Sequence, residues 1–289
     1  MSHLSPTNNE AAMITRELEQ TRDAWNDIAA GYDEFVTPTH EVWLAGEALR
    51  RARLSPGERF LDVAAGCGGL SLPAARLGAK VLATDWSPAM IQLLEARARK
   101  EGLSDVEGRV MDCHALDLDD DTFDLSASQF GVMLVPDQAR ALREMVRVTR
   151  PGGRVLLIAY GSPAAIEFLH FFIAAVQAVN PAFAGVPMSP PPLEFQVADP
   201  EVLRERLNVA GLTDVTVETV SEKLRFRSGR EMWDWVLNSN PLAGMLVADL
   251  TEEQRADVRA VLDGMLRERS GGSGAAVLTS PVHIGIGTK

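Results

Sequence analysis

The sequence predicts an α/β fold: seven strands in a mostly parallel sheet with an antiparallel last strand, helices on both faces, and an added α-helical cap. Three observations predict it. From Arg59 onward, short apolar runs alternate with amphipathic stretches, the signature of parallel strands joined by crossover helices. The first run, Phe60–Val63, carries Asp62 and breaks into Gly66–Cys67–Gly68–Gly69 before a helical pattern of Leu70, Leu72 and Ala75. Strand, glycine turn and helix in that order let bare backbone approach a nucleotide-like ligand. Two apolar, aromatic-bearing stretches, residues 161–199 and 227–274, interrupt the alternation and read as the cap.

Ile14, Leu18, Thr21, Trp25, Ile28 and Tyr32 recur at helical intervals. An amphipathic helix is therefore predicted over residues 10–30, and residues 1–45 as an N-terminal helical lid. The five strands that follow are Phe60–Val63, Val81–Thr84, Val106–Met111, Phe123–Ala127 and Gly153–Tyr160. Ser87–Pro88 supplies an N-cap and a first-position proline for a helix striped by Ile91, Leu94 and Ala98. A helix with Leu142, Met145, Val146 and Thr149 on one face stops at Pro151–Gly152–Gly153. After the apolar segment Pro163–Val179 and a proline-rich stretch, Asp199–Pro200 opens a short helix ending at Gly211, and Val215–Val220 reads as a sixth strand. Thr251 and Gln254 form a capping box ahead of Val258, Val261, Leu262 and Met265. Ser270–Gly274 is a link, and Ala275–Ile286 the last strand. The core is thus assigned to residues 46–160, 200–226 and 275–289.

Bulk properties exclude several functions. A net charge of −12 over 289 residues offers no field to collect phosphates, which argues against a nucleic-acid partner. The densest cationic stretch, Arg140–Arg150, reads as the outer face of a helix. The two cysteines, Cys67 and Cys113, have neither metal-ligand spacing nor a disulfide framework. With no signal-like opening segment, a cytoplasmic setting is expected. The most apolar helix, Ile166–Val179, is too short for a bilayer and carries Glu167, His170 and Gln177. No membrane span and no metal are expected.

The chemistry-bearing residues fall in four groups at successive strand ends. They are Asp62 with Gly66 and Gly68; Thr84–Asp85–Trp86–Ser87; Met111–Asp112–Cys113; and Phe123–Asp124 opening a strand that closes on Ser128–Gln129–Phe130–Gly131. In open parallel sheets, strand ends line one ligand crevice. A nicotinamide dinucleotide is the competing ligand, but Ser71 stands where its third glycine belongs, and a pyrophosphate would be repelled by Asp62.

The set resembles class I S-adenosylmethionine-dependent methyltransferases, most of all the ubiquinone/menaquinone-biosynthesis type. The segments Arg140–Gly153 and Arg154–Tyr160 and the early Trp25, Ile28–Ala29, Tyr32–Asp33 fit it too. The likeness covers residues 20–160 well and 200–220 loosely. It implies a Rossmann-like core and S-adenosylmethionine as cofactor, without a metal. It implies that Asp62 holds the methionine amino group and that the Ala64–Gly68 backbone, with Ala64, Gly66 and Gly68, faces the methionine portion. Asp85 would bind the ribose diol, Trp86 and Met90 flank the adenine, and Asp112 with the Cys113 amide read it. Ser128 and Gln129 would lie near the methionine carboxylate or sulfonium, with Tyr32 folding over as part of the lid.

The acceptor is less legible. Phe168, Phe171, Phe172 and Trp233 are assigned to an apolar pocket for a small ring- or isoprenoid-bearing metabolite. Trp235, two residues from Trp233, must face another way, so one of the pair lines the pocket and the other packs or meets a partner chain. If a base is needed, His170 on the apolar helix and Tyr32 are the first candidates, with His40, His114 and His283 as other histidines. No D/N-P-P-Y tetrad closes the fourth strand, which argues against amino-group methylation on nucleobases or protein amides. A macromolecule-directed methyltransferase and a cofactor-binding protein without transfer activity are the alternatives. Homo-oligomerisation through the N-terminal helix or the cap is left open.

Overall fold

The computed structural model describes residues 21–41, 43–186, 188–272 and 274–289. Of the lid helix expected over 10–30, residues 21–31 are helical and are called α1; Ile14 and Leu18 lie outside the described residues. The chain stays helical through a π-turn, Tyr32–Val36, into α2 (Thr37–Glu41), and α3 (Leu44–Arg51) follows. Alternation then begins with β1 (Arg59–Val63), α4 (Ser71–Arg76), β2 (Lys80–Asp85), α5 (Pro88–Glu101), β3 (Val106–Val110), β4 (Phe123–Gln129), α6 (Gln138–Val148) and β5 (Thr149–Tyr160). The remainder is α7 (Glu167–Val179), α8 (Pro200–Val209), β6 (Thr213–Phe226), α9 (Gly229–Ser239), α10 (Pro241–Leu246), α11 (Glu252–Arg269) and β7 (Ala276–Thr288).

The sheet has seven strands in the order β3-β2-β1-β4-β5-β7-β6. β1 pairs in parallel with β2 and β4, and β7 pairs antiparallel with both β5 and β6. The expected fold class therefore holds. The order reverses between β1 and β4, which makes their C-terminal ends a crevice. Phe60, Leu61 and Val63 of β1 are fully buried, as a strand covered on both faces requires. The expected caps hold as well. Ser87 Oγ accepts from Met90 N at the start of α5, and Thr251 and Gln254 form a reciprocal capping box on α11.

Two apolar cores follow from two lengths of strand. The sheet core gathers residues of β1, β2, β4 and β5 with α3, α4, α6 and α8. A second core joins Phe172 and Val176 of α7, Trp233 and Trp235 of α9, and Leu262 of α11 to Leu224, Phe226, Ala276 and Leu278. Those last four sit on β6 and β7, which reach past the end of β5 at Tyr160. The sixth strand is thus longer than Val215–Val220, and its extra turns of pleat carry the cap.

The N-terminal helices are fastened across the crevice by charge. Arg97 of α5 pairs with Asp33 at 2.9 Å and with Glu41, and Arg76 of α4 bridges Glu41 at 3.2 Å and Glu101 at 2.7 Å. Trp235 Nε1 donates to Thr39 Oγ1 at 3.1 Å, tying α2 to α9. A Cβ on Gly31 would fall 1.8 Å from Asn238 Oδ1, so glycine permits the close approach of α1 to α9. By contrast, the end of the basic stretch is paired with acids: Arg147 of α6 with Glu144 and Asp120, and Arg150 of β5 with Asp124. Replacing Arg97 with Ala leaves Glu41 half-buried without its main partner. It is expected to cost about 1–3 kcal/mol, read as a lower Tm and faster proteolysis near residues 32–41.

Candidate functional site

The turn after β1 is built from unusual backbone. Ala64 (φ 54°), Gly66 (φ 54°) and Gly68 (φ 91°) all adopt left-handed conformations, which for alanine is strained. Gly68 N donates to Ala65 O at 3.0 Å, closing the turn. A Cβ on Gly68 would come within 2.5 Å of Leu72, so this glycine serves the packing of α4 and α5. Ala64 and Gly66 instead line a cavity of about 130 Å³ with Tyr32, Asp85, Trp86, Met90, Asp112, Cys113 and Gln129. Most of the expected cofactor residues are therefore brought together.

Asp85 ends β2 with its carboxylate between two backbone donors: Gly66 N at 2.9 Å and Ser87 N at 2.8 Å. Burial raises its pKa, against the pull of these hydrogen bonds. Each oxygen keeps lone-pair capacity for a further donor. Asp62 is 1% exposed and accepts from Ser71 Oγ at 2.6 Å, while its Oδ1 has no partner. Burial pushes its carboxyl up to about 7. Ser71, the residue that spoils a dinucleotide motif, is thus the hydroxyl that holds Asp62.

Asp112 Oδ1 takes both His114 N at 2.9 Å and His114 Nδ1 at 2.7 Å. Burial raises both thiols, Cys113 to about 12, so neither is a nucleophile. Ligand atoms of Asp112, Cys113 and His114 lie within 4.8 Å of one another, an approach that the Asp112–His114 hydrogen bonds account for.

Four expectations fail at this site. Ser128 lines no part of this cavity: it is buried, and its Oγ accepts from Val132 N at 3.0 Å. Strand alternation sends Gln129 to the crevice and Ser128 away from it. His170 is exposed on α7 and lines neither cavity described here, because its helix turns that face to solvent. Trp233 is buried against Phe172, ring centroids 5.8 Å apart, and Trp235 lines the acceptor-side cavity in its place. Phe171 packs on the cap core, whereas Phe168 and Phe172 line that cavity.

The acceptor-side cavity, about 500 Å³, lies under α7, α9 and α10 and is walled by Tyr32, His40, Phe130, Tyr160, Phe168 and Trp235. Its rings touch in series. Phe130 stacks on Tyr160 at 4.4 Å and meets His40 at a tilt at 5.0 Å, and Phe168 meets Trp235 edge-on at 5.0 Å. Trp25, Tyr32, Phe130 and Leu134 belong to both cavities, so one aromatic wall joins them. Among the described residues neither cavity is lined by lysine or arginine.

Phe130 and His40, named in the sequence without a role in the pocket, carry more weight here than expected, and Glu222 escapes the sequence reading altogether. Phe130 is held at φ 58° where β4 ends. His40 is 5% exposed with Nε2 unpartnered, and burial lowers it to about 4, so it stays neutral. Glu222 is 3% exposed with both carboxylate oxygens unpartnered. Its signal was an acidic residue in phase with inward-facing Leu224 and Phe226, visible only once β6 is drawn to full length.

Comparison with known proteins agrees with the motifs. Residues 13–186 match the ubiE/COQ5 methyltransferase family. The chain belongs to this family. An uncharacterised protein of Mycobacterium tuberculosis (strain ATCC 25618 / H37Rv) is 41% identical over 137 residues, 47% of this chain and 48% of that one. The chain thus spans about half the length of such first curated relatives. A demethylmenaquinone methyltransferase of Renibacterium salmoninarum is 30% identical over 195 residues, 65% of this chain and 78% of that one. The solved structure of Haemonchus contortus phosphoethanolamine N-methyltransferase 2 in complex with S-adenosyl-L-methionine covers 86% of this chain and 52% of its own, with TM-score 0.52 and 18% identity. A likeness that remote speaks for the fold.

The raised carboxyls set the pH dependence of stability. Asp62 and Glu222 titrate at about 7 and about 8 when folded, against roughly 4 in the unfolded chain. Their protonated forms favour the native state, so the contribution is full below about pH 4 and is lost as pH rises through 7 and 8. Glu222→Gln is expected to raise Tm at pH 8.5 relative to wild type and to flatten the decline from pH 6; scanning calorimetry reads both.

Proposed function

We propose that the protein transfers a methyl group from S-adenosylmethionine to a small, apolar, ring-bearing metabolite, at carbon or oxygen of a phenol-, quinol- or isoprenoid-like acceptor. The observation that carries this is the pairing of two cavities across one aromatic wall, one rimmed by acids and the other by rings.

The residues present fit that cofactor. Asp85 keeps acceptor capacity toward hydroxyl donors, and the bend at Gly66 leaves bare backbone beneath Tyr32, 3.4 Å from where a Cβ would stand. Gln129 Oε1, Trp86 Nε1 and His114 Nε2 are buried polar atoms of cavity-lining residues without protein partners; Asp62 Oδ1 is also unpartnered, but Asp62 is not among the residues lining the cavity. A pyrophosphate would meet Asp85 and Asp112 with no cation to answer it. When bound, S-adenosylmethionine supplies an electrophilic methyl group on a sulfonium. Asp85 and Asp112 would hold the nucleoside, Tyr32 and Trp25 would shield the junction from water, and Asp62, held by Ser71 under the turn, would favour the positive end from outside the lining.

The acceptor reading draws on the ring-lined wall and on relatives named as demethylmenaquinone methyltransferases. The negative charge and a cavity set behind α10 weigh against a macromolecular acceptor.

Asp85→Ala is expected to weaken S-adenosylmethionine binding by about 10- to 100-fold in titration calorimetry. Unchanged affinity would remove the site assignment. With labelled S-adenosylmethionine and a panel of phenols, hydroquinones and terpenoids, the wild type is expected to label at least one acceptor. Phe168→Leu should raise the acceptor KM several-fold and leave cofactor affinity as it was. Cofactor binding with no labelled product would favour a binding protein without transfer activity.

A further inference from the structure

His40 poses the sharpest unanswered question in the molecule. It is 5% exposed, and its Nε2 has no hydrogen-bond partner. Among the described residues lining the acceptor-side cavity, it is the one whose side chain carries a buried polar atom left unpartnered. Native proteins rarely leave such an atom without a ligand or a role to explain it. Its neighbours on α2 have spent their polar groups. Thr37 Oγ1 donates to Tyr32 O at 3.1 Å, Thr39 Oγ1 donates to Val36 O at 2.7 Å, and Glu41 is paired with Arg97 and Arg76.

Three rings fix where the imidazole stands. Its centroid lies 5.0 Å from that of Phe130, 6.5 Å from Tyr32 and 6.4 Å from Trp235. Phe130 and Tyr32 belong to both cavities, whereas Trp235 and His40 line the acceptor side alone. The turn after β1 supplies a second fix. A Cβ built on Gly69 would stand 3.7 Å from His40 Cβ and 3.8 Å from Gln129 Nε2. Gln129 lines the cofactor cavity. One residue from each chamber thus meets at the same point of backbone, and the imidazole sits at the junction of the two.

Burial holds this ring neutral, lowering its pKa to about 4. A neutral imidazole carries an N–H on one nitrogen and a lone pair on the other. Set among carbon rings, an unspent lone pair favours a ligand that brings a donor.

We propose that His40 Nε2 accepts a hydrogen bond from a ring hydroxyl of the methyl acceptor, so that the cavity selects phenols and quinols over hydroxyl-free terpenoids and holds the hydroxyl end at the junction. The inference rests on the methyltransferase reading above and narrows its acceptor class. The contact is one of binding: the proton stays on the hydroxyl in the bound complex. A rival acceptor of hydrogen bonds stands in the same cavity. Glu194 lines it from the turn Leu193–Phe195 but is not among the residues lining the cofactor cavity. It serves as the control.

The test weighs 4-ethylphenol against ethylbenzene, the same ring with and without the hydroxyl. Both are titrated calorimetrically into the full chain with saturating S-adenosylhomocysteine, so that no transfer occurs. The wild type is expected to bind 4-ethylphenol about 10-fold more tightly, the worth of one hydrogen bond in a buried site. In His40→Phe the preference should vanish or reverse while ethylbenzene affinity holds within about threefold, which a merely damaged pocket would not allow. His40→Gln should keep part of the preference, and Glu194→Gln all of it. In protein carrying [15N]histidine, His40→Phe assigns one of the five histidines. Its Nε2 signal should move upfield with 4-ethylphenol by far more than with ethylbenzene. Equal binding of the two rings by the wild type, or a preference that survives in His40→Phe or is lost in Glu194→Gln, overturns the contact and leaves the methyltransferase reading standing. Binding of neither ring overturns the acceptor pocket itself. Absence of transfer by the wild type across the acceptor panel overturns the functional reading, and the contact with a methyl acceptor falls with it.

Discussion

The carboxylate of Asp85 holds the site together. One oxygen takes Gly66 N from the turn after β1 and the other takes Ser87 N from the turn after β2. Two loops that would otherwise splay are thereby clamped side by side at the point where the sheet order reverses. The clamp adjoins the strained left-handed backbone of Ala64, beside Gly66, which adopts the same region freely. Ser87 in turn caps α5 and donates its hydroxyl to Asn26 of α1 at 2.6 Å. The same acidic side chain thus positions the glycine turn, the helix behind it and, at one remove, the lid.

The lid and cap finish what the sheet begins. The π-turn sets Tyr32 over Gly66, and its continuation sets His40 against Phe130. A one-residue widening of a helix is a common device where a side chain must be re-aimed. On the far side, β6 and β7 outrun their neighbours and give α7, α9 and α11 an apolar floor. The result is one aromatic wall with a chamber that bears Asp85 and Asp112 on one side and a ring-lined chamber on the other. Methyl transfer needs this division: a cation and its acceptor must meet in line with water kept out.

Much of this was legible in the chain because local chemistry dictates it. Strand runs, the Ser87–Pro88 cap, the Thr251–Gln254 box and the glycine turn are each decided by a few adjacent residues. So was the gathering of Asp85, Trp86, Asp112 and Gln129 at strand ends, since parallel strands must finish on one edge. What failed depended on which way a side chain faces after packing. Ser128 and Gln129 differ by one step of pleat, and Trp233 and Trp235 by two residues of helix. His170 lies on a helix apolar enough to suggest burial on every side, yet its face is left to solvent. Glu222 was missed because the sixth strand, read only to Val220, ended one pleat too soon. His40 sits in a stretch without a motif, and only its rings' neighbours reveal its place.

The central claim is that the cleft between β1 and β4 receives a positively charged thioether derivative of adenosine, gripped by acids and closed by Tyr32. A crystal structure with S-adenosylhomocysteine tests it most directly. The account requires density over the Ala64–Gly66 turn, ribose hydroxyls on Asp85, and sulfur facing the wall of Trp25, Tyr32 and Phe130. Density elsewhere, or a pyrophosphate-bearing molecule in that cleft, would contradict it.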